Sequence, residues 1–267
     1  MLAVSGDDAL VYLQGQISQD ITTLADGDST YTFVLQPTGK VEALARVTRR
    51  SANEFVLDTD AGFGDSLAAR LNRFKIRVKV DIAGVAGRCL AIRNVSPRPA
   101  GTLPAWGRDD AFDLLGDDPR PPHDLREGTV AELEIARIEA GWPAMGAEIT
   151  EATIPAETGI VSLAVSFTKG CYPGQELVER MDSRGSTAPR FVRRLRGPDR
   201  PPVAVGDEVV FGGRAVGALT SVAIVDNGWV ALGLVGRAAQ PGDVVTVGGD
   251  GAEVVLEATF APIGPIS

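Results

Sequence analysis

An α+β fold that ends in a small β-barrel is what this 267-residue sequence predicts. Strand-like and helix-like apolar periods alternate through most of the chain without a strict β-α-β rhythm. From about residue 189 the pattern becomes short runs of Val, Ala and Leu cut by GD, GG, NG and PGD turns, which marks an all-β module. The 31 glycines and 17 prolines fall between apolar periods, so they read as turns and not as disorder. These observations divide the chain into residues 1–188 and residues 189–267.

The elements follow in order. MLAVSG reads as a first strand. Ser5 and Asp8 are spaced as a capping box, and Leu10, Leu13 and Ile17 mark one face of a short helix. LQGQ, at Gln14–Gln16, then forms a turn that Asp20 can orient. TYTFVLQPTGKVEALARVTRR places two apolar runs around PTGK and predicts a hairpin; NEFVLDTD adds a strand. PTGK is not a phosphate loop, because the glycine spacing before it and the hydroxyl residue after its lysine are both absent. Phe63, Leu67, Leu71 and Phe74 space as a helix stripe, and FKIRVKVDI and RCLAIRNV read as strands. Residues 96–108 and 116–124 read as loops around a short strand, AFDLL. Thr129 and Glu132 form a capping box for a helix over 130–140, with Gly141 as its terminator. Val130, Leu133 and Ala136 make its apolar stripe, which puts Arg137 near the core-facing edge. Pro173 suits the first turn of a helix running to about Met181. Arg190, Arg193, Arg194 and Arg196 read as a charged linker, or alternatively as a surface for a partner. Strands are expected at 203–211, 214–225, 229–236, 244–247 and 252–259.

Composition excludes several classes. The formal charge is −9, from 35 acidic and 26 basic residues, which argues against broad binding to a nucleic-acid backbone. No run approaches the ~18 apolar residues of a membrane span. The N-terminus has no basic stretch leading into a long apolar one, so no secretion signal is expected and a cytoplasmic location is the economical reading. Two cysteines are too few for a disulfide scaffold, and Cys89, Cys171 and His123 lie too far apart in sequence to suggest a metal site. Cys89, in a strand context, reads as ordinary packing.

FTKGCYPGQE, at 167–176, is the segment that carries chemistry. Cys171 stands just ahead of an expected helix start, where unpaired N–H groups favour a thiolate. Lys169 adds a positive charge and Gly170 permits a sharp turn. From the residues alone, a functional thiol and a buried structural one remain open alternatives.

KGCYPGQE resembles the signature of the YgfZ family of folate-binding proteins, relatives of the glycine cleavage T-protein, an aminomethyltransferase. YLQGQISQD, LQPTGKVEA, LAARLNRFKIRVKV, RIEAGWPAMGAEI, IPAETG, DSRGS, GALTS and ALGLV resemble family segments in the same order, so the likeness covers nearly the whole chain. It implies a ring of subdomains around a folate-sized opening, with tetrahydrofolate or a related folate as cofactor. It implies support for the assembly or repair of iron–sulfur enzymes, including one that thiolates tRNA. Partners would then be iron–sulfur proteins or their assembly machinery, with no stable nucleic-acid or membrane binding. Cys171 would be the catalytic thiol. Arg137, in RIEAG, falls on an arginine that contacts folate in the T-protein branch, and Glu157, in IPAETG, could accept the N–H donors of a pterin edge. Lys169, Gln175 and Arg184 would complete the folate-binding set, Lys169 and Arg184 with Arg180 making a positive lip for the glutamate tail. Gln175 and Glu176 could equally cap the helix. The T-protein branch also positions folate with a central aspartate, for which no equivalent is identified in this chain. A folate-dependent aminomethyltransferase or methyltransferase, and a binding protein with no reacting group, are the alternatives.

Overall fold

The computed structural model describes residues 1–122, 124–183, 188–199, 202–248 and 251–259. In chain order its elements begin β1 (Leu2–Ser5), α1 (Ala9–Gln14), β2 (Ser29–Leu35), β3 (Val41–Ser51), β4 (Glu54–Thr59), α2 (Gly64–Arg73) and β5 (Asp81–Gly84). They continue with β6 (Arg88–Arg93), β7 (Leu103–Ala105), β8 (Arg108–Gly116), α3 (Val130–Glu139), α4 (Val161–Ala164) and α5 (Gln175–Ser183). The β-rich end holds β9 (Arg190–Gly197), β10 (Glu208–Phe211), β11 (Arg214–Val225), β12 (Gly228–Gly236), β13 (Val244–Val247), β14 (Ala252–Val255) and β15 (Glu257–Ala258). Two compact units result, and the chain interleaves them where the sequence suggested a single break after 188. One takes Met1–Glu127 and Ser162–Glu179; the other takes Gly128–Val161 and Arg180–Ser267.

The first unit is built on an antiparallel sheet in the order β2-β3-β4-β1-β5, beside a smaller sheet β6-β8-β7. The PTGK hairpin forms as expected between β2 and β3. Leu13, Ile17, Val34, Val47, Phe55, Leu67 and Leu71 close into one core, so the α2 stripe works through its two central leucines. Arg46, buried on β3, holds Asp58 through Nε at 3.1 Å and Nη2 at 2.9 Å, and Asp113 through Nη1 at 2.8 Å. The bidentate pair with Asp58 lies within the larger sheet, and the bond to Asp113, which Arg93 also holds at 2.8 Å, joins that sheet to the smaller one. Three expectations change here. Asp8 makes no side-chain cap on α1; its carboxylate instead accepts the Lys79 N–H at 2.7 Å, tying the helix start to a distant loop. The strand read from FKIRVKVDI begins only at Asp81. The loop at 96–108 contains β7.

The second unit holds a seven-stranded antiparallel sheet in the order β14-β13-β10-β11-β12-β9-β15. Only Leu256 separates β14 from β15, so the chain itself joins the two ends of that order and the sheet is nearly closed, as the barrel expectation required. Leu195, Val209, Trp229, Val245, Val247 and Leu256 fill it. α3 packs outside with Ile135 and Ile138 against Val192, Val230 and Leu232. Its capping box is formed: Thr129 Oγ1 accepts from Glu132 N at 3.2 Å and Thr129 N donates to Glu132 Oε2 at 2.7 Å. The face is not the one the apolar stripe suggested. Val130 is 86% and Leu133 37% exposed, while Arg137 is buried, in keeping with its expected place near the core-facing edge. The arginine-rich run is also not a linker. It is β9, flanked by β12 and β15, and its arginines meet acids supplied by other segments: Arg190 with Glu157, Arg194 with Glu257 and Arg196 with Glu139.

Candidate functional site

Cys171 lies in the loop that leads into α5 and is exposed. The helix starts four residues later than the cysteine, at Gln175, so Cys171 belongs to the approach loop and not to the first turn. What surrounds it is a mounting. Tyr172 and Val178 are buried on either side of the helix start. Gln175 Oε1 accepts the Tyr172 N–H at 3.3 Å and its Nε2 donates to Glu179, so its side chain caps the helix entrance. Gly174 has φ +83°, and a Cβ there would lie 2.6 Å from Gln36 O and 3.0 Å from Gly39 Cα. Gly39, at φ +83°, would in turn place a Cβ 2.5 Å from Leu177 Cβ. Backbone presses on backbone where the PTGK hairpin tip meets the start of α5, and only glycine permits that approach. Gly170 was the glycine expected to make the sharp turn. It lies outside the left-handed region and a Cβ there would meet nothing within 4 Å.

Lys169 is 9% exposed, and its Nζ donates to three backbone carbonyls: Gln14 at 2.7 Å, Ile17 at 2.6 Å and Gln19 at 3.1 Å. Its ammonium also lies 5.2 Å from the centre of the Tyr172 ring. Burial pushes Lys169 down to about 8, opposed by the carboxylate of Asp20. Asp20 orients the LQGQ turn as expected, accepting from Gln14 Nε2 at 3.0 Å and from Thr22 Oγ1 at 2.6 Å. These hydrogen bonds, led by those from Thr22, hold the Asp20 carboxyl below its ordinary range.

Arg137 and Glu157 belong to the second unit. Arg137 donates through Nε and Nη2 to Glu134 at 2.8 and 2.6 Å, through Nη1 to Trp142 O at 2.7 Å and Glu148 at 2.9 Å, and through Nη2 to Ser221 Oγ at 2.6 Å. A guanidinium has about five N–H donors, so this arrangement leaves none for a ligand. Glu148, fully buried, also accepts from Ala144 N at 3.0 Å, Thr220 Oγ1 at 2.6 Å and Ser221 Oγ at 2.7 Å. Nothing in the sequence near Arg137 marked Glu148 as its partner. Glu157 is 3% exposed, accepts Ile154 N at 3.1 Å and pairs with Arg190 Nε at 2.8 Å. A direct hold on a folate by Arg137 requires one of these bonds to be given up, and Glu157 already has a cation.

The structure thus brings Lys169, Cys171 and Gln175 together with the Gln14–Asp20 turn and the PTGK tip. Arg184 and His123 lie outside the described residues. Cys89 is on β6 as read, but it is exposed, not packed away. Desolvation by surrounding protein, and then Asp113, still push its thiol up to about 11, although the residue keeps surface in contact with solvent. Both thiols are free. Among the described residues, no group of three or more His, Cys, Asp or Glu is placed to hold a metal, and no helix is long and apolar enough to cross a membrane.

No protein-family model matches the chain. It is 29% identical over 240 residues to an uncharacterized protein of Haemophilus influenzae, across 85% of this chain and 82% of that one. A tRNA-modifying protein YgfZ of Klebsiella pneumoniae is 27% identical over 293 aligned positions, covering 96% of this chain and 89% of the relative. A mitochondrial iron-sulfur cluster assembly factor IBA57 homolog of Pyricularia oryzae is 28% identical over 72% of this chain and 54% of its own length. The crystal structure of glycine cleavage system aminomethyltransferase T from Bartonella henselae superposes with a TM-score of 0.77 at 19% identity, over 98% of this chain and 82% of that one. The chain therefore has the aminomethyltransferase T fold and is related in sequence to proteins that carry the YgfZ name.

Proposed function

We propose that this protein is a tetrahydrofolate-binding accessory factor for the assembly or repair of iron–sulfur enzymes, acting through Cys171 in the cytoplasm. The observation that carries the reading is the mounting of Cys171. Lys169, Tyr172, Gly174 and Gln175 are all engaged in fixing the loop, and the one thiol in it faces solvent. A purely structural cysteine needs no such exposure. The relatives named for YgfZ and for iron–sulfur cluster assembly support the partner class, and the family likeness supports folate. In this reading Arg137 and Glu157 act as positioning residues: their bonds to Glu148, Ser221 and Arg190 hold α3 and the turn at Pro155–Glu157 against the β module. Gln175 and Lys169 likewise shape the loop.

Titration calorimetry with tetrahydrofolate and the purified protein tests the cofactor half. Binding that survives Cys171→Ala supports a factor in which folate and thiol have separate tasks. No heat even at millimolar tetrahydrofolate sinks it. The fold it shares with an aminomethyltransferase keeps a folate-dependent transferase as the second reading, distinguished by one-carbon transfer to or from the folate.

A further inference from the structure

Three carbonyls converge on a single nitrogen in the first unit. Gln14 O, Ile17 O and Gln19 O accept from Lys169 Nζ at 2.7, 2.6 and 3.1 Å. An ammonium carries about three N–H donors, so every one is used on the protein's own backbone. Gln14 is the last residue of α1, whose terminal carbonyls have no partner within the helix. Ile17 and Gln19 continue the turn that follows. The same turn is sewn to the approach of the Cys171 loop at further points. Ser18 Oγ donates to Ala164 O at 2.6 Å, Gln19 Nε2 to Leu163 O at 3.0 Å, and Ser166 N to Ser18 O at 3.0 Å. Past Ser166, Lys169 ties to the same turn immediately before the exposed Gly170 and Cys171. The Tyr172 ring lies beside the ammonium from the other side of Cys171, and Asp20 is the carboxylate that faces it.

We propose that Lys169 is a positioning residue for Cys171: its ammonium serves as a built-in monovalent cation, and the three carbonyls that ligate it fix the place of the loop. This deepens the reading of Cys171 as the working thiol and rests on it. It reassigns Lys169, which the sequence suggested as a contact for folate or a charge that activates the sulfur. A lysine whose donors are all taken by backbone has no N–H left to offer a folate. The arrangement is three-way around one atom, and that geometry is specific. A methionine of similar length fills the space without donating. An arginine keeps the charge, but its planar fork cannot aim donors at three carbonyls around one centre. A free ammonium ion can.

The test uses the full chain and Lys169→Met at neutral pH, with hydrogen exchange read peptide by peptide and iodoacetamide labelling of each cysteine read by mass spectrometry. Exchange across 14–19 and 169–173 is expected to rise at least about tenfold in Lys169→Met, as a charge-assisted tie is lost. The second unit and the Cys89 labelling rate are expected to stay as in the native chain. Cys171 labelling should move to the rate of an unstructured peptide of the same sequence. Ammonium chloride should return both exchange and labelling toward native values, and tetramethylammonium chloride at equal ionic strength should not. Lys169→Arg keeps the test available if the methionine variant does not fold, and is expected to fold with loop exchange still raised. Unchanged exchange in Lys169→Met overturns the proposal. So does raised exchange that ammonium leaves untouched, which would assign the effect to the lysine stem. Native exchange in Lys169→Arg also overturns it, because charge alone would then suffice. No folate or client protein enters these measurements, so their failure is separate from a failure of the proposed function.

Discussion

Replacing Gly174 by alanine should damage this protein, and replacing Gly170, four residues earlier in the same signature, should not. At Gly174 the backbone φ is +83°, where an L side chain costs about 1–2 kcal/mol. The added Cβ would also stand 2.6 Å from Gln36 O and 3.0 Å from Gly39 Cα and Leu35 Cβ. The two nearest of these atoms are backbone in the hairpin turn, so relief requires moving that turn, and overpacking of this kind costs about 1–3 kcal/mol more. A loss of about 3 kcal/mol corresponds to a fall in Tm on the order of 6–12 °C for a chain of this size. At Gly170 a Cβ meets nothing within 4 Å. Alanine there restricts the unfolded chain and should leave stability within about 1 kcal/mol of native, on the stable side. Thermal unfolding of both variants by circular dichroism at one scan rate compares them directly. Equal Tm values, or a Gly174→Ala variant that melts with the native protein, would refute the packing of the hairpin tip against α5.

Three further outcomes are expected. Glu148→Ala leaves Arg137 buried without its fully enclosed partner and should cost about 3–5 kcal/mol in urea unfolding, far more than a surface ion pair would. Lys169 titrates near 8 in the folded chain against an ordinary 10.5, so between those values the unfolded chain holds the proton that the folded chain has lost. Its contribution therefore makes stability rise with pH across that window; Asp20 stays charged and Tyr172, pushed up to about 12, stays neutral throughout. The difference in stability between the native chain and Lys169→Met, measured at each pH, should show that rise, and a flat difference would contradict the burial of the ammonium. Cys171 should be alkylated faster than Cys89 at neutral pH, since the Cys89 thiol is pushed up to about 11; equal rates at the two positions would remove the contrast.

What could be read from the sequence was what neighbours in sequence decide. The capping box at Thr129 and Glu132 needs only three residues of chain, and it formed as written. The PTGK hairpin and the strands between glycine turns are local in the same sense. On α3 the burial of Arg137 agrees with its expected place near the core-facing edge, but Val130 and Leu133, which hydrophobicity favoured, stay exposed. The partners of Arg137 are Glu148, beyond a loop, and Ser221, on another strand. β9 was read as a linker. Arginines in a strand look solvated until Glu157, Glu257 and Glu139 are brought to them by the fold. At the candidate site, the signature pointed to Cys171, but the role of Lys169 depends on carbonyls about 150 residues earlier in the chain. Carbonyls carry no residue type, so no motif could announce them. The two glycines of KGCYPGQE look equivalent in sequence, and only the approach of the hairpin tip separates them.

The activity of iron–sulfur enzymes in cells whose own copy is replaced by Cys171→Ala bears most directly on the proposed function. The variant is expected to fold, because Cys171 is exposed and the bonds around it come from Lys169 and Gln175. Activity should fall to the level of cells that lack the protein altogether, with the purified variant still binding tetrahydrofolate. Activity equal to that of cells carrying the native chain would contradict the assignment of Cys171 as the working group.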